Sequence, residues 1–353
     1  MHSGGSLYMD PLTQGLLGAA AAQMCVGHKL SRTAWLVGGL TAMSADLDVV
    51  LATGADDLVR MAYHRHFSHA LVFIPVAAAG CAQVFMWWPG YRGARWWVFF
   101  SALVGYATHA TLDACTNYGT LLYWPFTDAR VAWDFIAIID PVFSVCLLVG
   151  LIAGAVARNR TLVGVGLALA CIYMAIGAAN HHIALDAQRQ LAESRGHTIT
   201  RSMAAPTLGN IVLWRSVYEH EGVLYADAVR TPWVGPVRVH GGAHAKRIRA
   251  DDLSADLPDR AAVIKDFKLF DWFANGYVAY APGQHDVIGD MRYSSMTEDF
   301  APLWGLMLNP NHRSHGQKMV GLGPPREMAI NVFLHDLVSG HPDEKPLNEV
   351  LQR

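Results

Sequence analysis

The chain has 353 residues, 52% of them hydrophobic and only 16% charged, with a formal net charge of −2. Charged residues make up about a quarter of an average soluble protein, so this composition argues against a wholly soluble chain. No block of basic residues is present, which argues against nucleic acid as a partner. The 17 histidines are an unusual number. The five cysteines, Cys25, Cys81, Cys115, Cys146 and Cys171, are widely spaced without a CxxC and read as small buried hydrophobes.

Apolar sequence runs from Pro11 to about Asn180, and the remainder reads as an ordinary soluble domain. Met1 to Met9 lacks a basic n-region, so a retained first span is expected rather than a cleaved signal peptide. Asp10-Pro11 has the form of an N-cap followed by a first-turn proline and opens a span ending near Gly27. A basic loop with Lys29 and Arg32 leads to a second span, Thr33 to Thr53, which carries Asp46 and Asp48 near its end. A polar loop then ends in Tyr63-His-Arg-His-Phe-Ser-His69, three imidazoles and a guanidinium in seven residues. Ala70 to Trp88 is the third predicted span, closed by a turn with Arg92 and Arg95. The fourth starts at Trp96 and reaches His109 and Asp113. Asp140-Pro141 repeats the capping pair and opens the fifth, to Ala157; Arg158 and Arg160 separate it from the sixth, Thr161 to about Ala179. The expected fold is therefore an α-helical polytopic membrane domain of about six spans over residues 1–180, followed by a soluble α+β domain over 181–353.

Within the soluble part, Asp186 to Arg195 is a polar helical stretch. Ile211–Tyr218 and Gly222–Val229 look like paired strands around Glu219-His220-Glu221-Gly222. Asp259 to Ala274 looks helical, and Gly276–Ala281 and Asp286–Tyr293 look like strands. The loops with Lys29, Arg32, Arg92, Arg95, Arg158 and Arg160 alternate with loops holding Arg60, Arg65 and Arg130. By the positive-inside rule the first set is cytoplasmic, which places the C-terminal domain outside the membrane, in a bacterium the periplasm.

Three groups of ligand-type residues fall at the same, outer edge of this topology: Asp46 with Asp48, His64 with His66 and His69, and His109 with Asp113. Residues 109 and 113 share a helix face. Asp46 and Asp48 would diverge by about 200° on a regular helix, so either the helix ends there or only one is a direct ligand. Mixed His and Asp donors suit a divalent metal, Zn²⁺ or Mn²⁺ first, and six of them suffice for one or two ions. Such a centre activates water and clamps an ester or phosphoester oxygen. The predicted metal ligands are Asp46, Asp48, His64, His69, His109 and Asp113, with His66 a further candidate; the predicted catalytic residues are Asp48, His64, Arg65 and His109. Arg65 can neutralise an anionic substrate. Against this stand simpler readings: Asp10 and Asp140 as helix caps, Arg60 and Arg65 on lipid phosphates, and His109 with Asp113 as an interhelical hydrogen-bonded pair. A site at the water–lipid boundary suits a lipid-linked or envelope substrate. Without HExxH, the metalloprotease helix motif is excluded. The alternatives are a metal-ion or proton transporter and a non-catalytic membrane regulator with a structural metal.

Met9-Asp10-Pro11-Leu12-Thr13 with Gly15, Asp46-Leu47-Asp48, His64-Arg65 with Ser68-His69, and His109 and Asp113 followed by Asn117-Tyr118-Gly119 resemble the YdjM-type family. These are described as LexA-binding, inner-membrane-associated hydrolases or membrane-bound metal-dependent hydrolases. The resemblance covers roughly Met9 to Ala179. It implies a bacterial inner-membrane protein, a metal-dependent hydrolase, and metal ligands among the six residues above. The family's opening motif usually has histidine after the threonine, and this chain has Gln14. The resemblance thus implies a lost or replaced ligand, for which His66 is the candidate.

Overall fold

The computed structural model describes residues 11–30, 33–48, 56–255, 257, 259–308, 318–323, 340–341 and 343–352. The expected caps and loop residues at Asp10 and Arg32 lie outside these. The N-terminal half is helical: α1 (Pro11–Val26), α2 (Ala34–Met43), α3 (Asp57–Tyr63), α4 (Ile74–Phe85), α5 (Arg95–Ala114), α6 (Pro141–Val156) and α7 (Arg160–Ser194). Helix α1 packs against α2, α5, α6 and α7 and occupies their centre. Small residues make this possible. A Cβ on Gly18 would meet Ala42 Cβ at 2.5 Å, one on Gly38 would meet Gly18 O at 2.5 Å, and one on Gly105 would meet Gly38 O at 2.2 Å. Three helices therefore cross backbone to backbone at one point, as small residues allow in apolar helix pairs.

The expectation of about six spans is overturned. One helix among the described residues, α7, is long and apolar enough to cross a membrane. A second crossing would need the pair Asp57–His69 and Leu71–Phe85, which is bent by 56°. The physical reason is that hydropathy counts apolar residues without seeing where the chain turns. Helix α2 has 10 residues and stops at a 3₁₀ turn, Ser44–Leu47; α4 has 12 and is preceded by the short turns Phe67–His69 and Leu71–Phe73. At about 1.5 Å per residue these fall well short of a 30 Å hydrocarbon layer. Helix α1 is apolar because it is interior to the bundle, with Ala20, Ala22 and Gln14 fully buried. Helix α7 differs, since Val165, Leu169 and Ile172 are exposed.

Asp140 caps α6 as its sequence suggests: Oδ1 accepts from Val142 N (3.0 Å) and Phe143 N (3.1 Å), and the Tyr173 hydroxyl donates to Oδ2 (2.8 Å). Helix α7 runs without a break through residue 180, so the polar stretch from Asp186 is its continuation. That continuation lays Ala184 and Ala187 against Ala204, Trp214 and Val229 of the first sheet.

The C-terminal part is rich in β-structure. Strands β1 (Arg201–Pro206), β2 (Leu213–His220), β3 (Val223–Arg230), β4 (Arg238–Lys246) and β9 (Lys345–Pro346) form one antiparallel sheet in the order β1-β2-β3-β4-β9. Strands β5 (Val278–Tyr280), β6 (Val287–Asp290), β7 (Trp304–Met307) and β8 (Lys318–Gly321) form a second. The β2–β3 hairpin turns at Glu221-Gly222, both with positive φ, the twist a two-residue hairpin needs. Helix α8 (Arg260–Phe273) packs Val263, Phe267 and Phe270 onto Val278, Ile288 and Leu306 of the second sheet and onto Leu58 of α3. The loop between α5 and α6 meets α8 as well: Trp272 Nε1 donates to Asp128 O (3.2 Å), and Tyr118 and Phe273 are 5.3 Å apart edge to face. The C-terminal half thus sits over the loops that frame the histidine cluster.

Candidate metal centre

Four donors converge where α2, α4 and α5 meet those loops. Asp46 comes from the 3₁₀ turn after α2, His69 from the turn before α4, and His109 and Asp113 from one face of α5. Their ligand atoms all lie within 4.8 Å of one another. His69 Nε2 is 2.9 Å from His109 Nε2, 3.1 Å from Asp113 Oδ2 and 3.6 Å from Asp46 Oδ1. His109 Nε2 is 3.4 Å from Asp46 Oδ1 and 3.6 Å from Asp113 Oδ2. Donors placed tetrahedrally around zinc sit roughly 3.4 Å apart, and the five separations above run from 2.9 to 3.6 Å. Asp46 Oδ1 and Asp113 Oδ2 are buried and make no hydrogen bond among the described residues. Two carboxylate oxygens without hydrogen bonds and two imidazole nitrogens 2.9 Å apart, all facing one point, fit a divalent cation.

The surrounding residues fix these donors. Ser68 Oγ donates to Asp48 Oδ2 at 2.7 Å and lies 2.9 Å from His69 Nδ1. Its one proton is committed to Asp48, so Nδ1–H of His69 donates to Ser68, leaving the Nε2 lone pair aimed at the centre. Gln14 Nε2 donates to Asp113 Oδ1 at 2.6 Å. Arg65, fully buried and with a positive φ of 62°, brings Nε within 3.0 Å of Asp113 Oδ2 and lays its guanidinium 4.4 Å from the Tyr118 ring. Asp113 is thereby held from both sides. Nη1 and Nη2 of Arg65 have no hydrogen-bond partner among the described residues.

The predicted residues therefore separate. Asp46, His69, His109 and Asp113 face one another. Asp48 and His64 form an adjoining pair: His64 Nδ1 is 2.9 Å from Asp48 Oδ1, and Asp48 Oδ2 also accepts from Arg65 N at 3.0 Å. His64 Nε2 reaches to 3.8 Å from Asp46 Oδ1. The divergence of Asp46 and Asp48 expected from helical spacing is achieved by the 3₁₀ turn. His66 is not brought to the four donors; it packs among Tyr63, Phe67 and Trp124. Arg65, with zero exposure, does not face lipid. Sequence reasoning missed Gln14 and Ser68 as supports. A glutamine one helical turn into a mostly apolar first helix was the available signal.

Asp46 is the least enclosed donor, with 16% of its side chain exposed while the other three are at zero. The model of the YdjM inner membrane protein family matches residues 9–184. No curated protein and no solved structure matches the chain.

Proposed function

With its N-terminal half belonging to the YdjM inner membrane protein family, we propose that this protein is an inner-membrane metal-dependent hydrolase acting on an ester or phosphoester. The observation that carries this reading is the convergence of Asp46, His69, His109 and Asp113, whose ligand atoms lie within 4.8 Å of one another, with Asp46 the one donor partly open to solvent. A divalent ion held there, Zn²⁺ or Mn²⁺ by donor type, would supply Lewis-acid polarisation of the scissile group and of water. The protein's own residues do the rest. His64, oriented through Nδ1 by Asp48, presents Nε2 on the Asp46 side and accepts the proton of the attacking water. Arg65, sealed beside the centre with Nε 3.0 Å from Asp113 Oδ2, holds that carboxylate in place as a ligand.

A lipid-linked substrate suits the surroundings. An apolar groove of about 670 Å³ between α1, α2, α6 and α7 begins at Leu12 and Met43, three residues from Asp46, and is lined by Leu16, Leu148 and Ile152. Its far end carries His28, Arg158 and Arg160. Lys29 also lies at that end, over Trp97. This charge asymmetry supports placing the basic end in the cytoplasm and the metal centre and C-terminal half in the periplasm. The competing transport reading needs polar groups at successive depths. Below the centre, however, α1, α2 and α5 close on each other at Gly18, Gly38 and Gly105.

The test is metal content and phosphoesterase activity of the purified protein and three variants. His109→Ala and Asp113→Ala should each lose this centre's equivalent of metal and the activity together. His64→Gln should keep its metal and lose about 10²-fold or more in kcat, the size of a general-base contribution. Unchanged metal content in both His109→Ala and Asp113→Ala would remove the centre.

A further inference from the structure

A second group of metal-type donors forms in the C-terminal half, outside the family match. His240, Glu298 and His341 each offer a ligand atom within 4.8 Å of the others. They are 58 and 43 residues apart in sequence, so no spacing motif announces them. Each arrives from a different part of the fold. His240 lies on β4 of the first sheet, Glu298 on the loop after β6 of the second, and His341 just before β9 returns to pair with β4.

The convergence is built by three separate anchors. Ala243 N donates to Glu298 O at 2.9 Å, which fixes the Glu298 backbone over β4. That approach requires glycine at 242, where a Cβ would meet Glu298 O at 2.0 Å. His341 N donates to Glu344 Oε1 at 3.3 Å, and Glu344 is in turn clamped by Arg230 Nε at 2.9 Å and Arg238 Nε at 3.6 Å. The rings of His240 and His341 then stack with centroids 3.8 Å apart and planes 27° from parallel. All three donors are half-buried, neither sealed in the core nor spread on the surface.

We propose that His240, Glu298 and His341 bind a divalent transition-metal ion, Zn²⁺ by donor set, that ties the two sheets and the returning C-terminal segment together. Two imidazoles and one carboxylate are a recurrent zinc ligand set that leaves a fourth position for water. Ligation through His341 Nε2 puts a proton on Nδ1. That nitrogen, now an acceptor for Asp343 N at 3.2 Å, then turns to the Asp343 carboxylate at 3.9 Å, the acidic partner such ligands use. The site is independent of the Asp46–His109 centre and of any hydrolase activity.

The experiment measures zinc per chain by mass spectrometry of the full-length protein after equilibration with Zn²⁺ and removal of excess. His240→Ala, His341→Ala and the isosteric Glu298→Gln should each lose one equivalent, while His109→Ala keeps that equivalent. A second readout is hydrogen exchange: chelation should raise exchange at residues 294–302 and 343–352 in the native chain and leave it unchanged in Glu298→Gln, which preserves side-chain shape if the histidine variants do not fold. Zinc content in Glu298→Gln equal to that of the native chain, or exchange at these segments that does not respond to chelator, would overturn the proposal.

Discussion

Gln14 shows what one side chain does to the metal centre. Its amide donates to Asp113 rather than competing for the ion. With Arg65 on the other carboxylate oxygen, Asp113 is kept ionised and aimed. Gln14→Leu should weaken metal binding by about 10–100-fold with little change in fold, read by chelator competition. Equal affinity would mean that Arg65 alone orients Asp113. Asp134, in the loop between α5 and α6, makes a different prediction. It is buried, its Oδ1 has no partner among the described residues, and burial pushes its carboxyl up to about 8, with Arg292 pulling the other way. The folded chain then holds a proton that the unfolded chain has released between pH 4 and 8. Stability therefore falls as pH rises through that window, by at most about 1.4 kcal/mol per pH unit. Asp134→Asn should raise Tm at pH 8, with the gain shrinking to nothing near pH 4.

At the scale of elements, the crossing of α1, α2 and α5 decides whether the site assembles at all. His109 and Asp113 are placed by α5 and Asp46 by the turn after α2, so their separation depends on how closely those helices approach. Gly105→Ala drives a Cβ into the Gly38 carbonyl at 2.2 Å and should destabilise the protein by about 1–3 kcal/mol. Gly80→Ala in α4, where a Cβ meets nothing within 4 Å, should instead be neutral or stabilising by up to about 1 kcal/mol. Thermal unfolding of the two variants in detergent compares them directly; similar losses would show that the glycine crossing is not what sets the packing. The α5 pair was legible in sequence because a four-residue spacing fixes a shared face. The 3₁₀ turn that parts Asp46 from Asp48 was legible only as a conflict with regular helix geometry. Ser68 was seen only as part of a family motif, and its role as the bridge from Asp48 to His69 depends on contacts across 20 residues of chain.

Over the whole molecule, the helical half and the β-rich half are physically continuous. Helix α7 passes from one into the other, and Tyr118 lies between Arg65 of the centre and Phe273 of α8. The proposed orientation makes the C-terminus periplasmic: alkaline phosphatase fused there should be active and green fluorescent protein dark, and the reverse pattern would invert the topology.

Sequence by itself determined the Asp140 cap, the β2–β3 hairpin, helix α8 and the residue types gathered at the centre. Those depend on local spacing, capping chemistry and turn preference, which act over a few residues. Tertiary structure decided the rest. The number of long membrane-type helices fell from about six to one or two because interior packing makes a helix as apolar as lipid does, and composition does not distinguish them. The division between facing donors and their supports, and the meeting of His240, Glu298 and His341, were set by contacts between segments tens of residues apart.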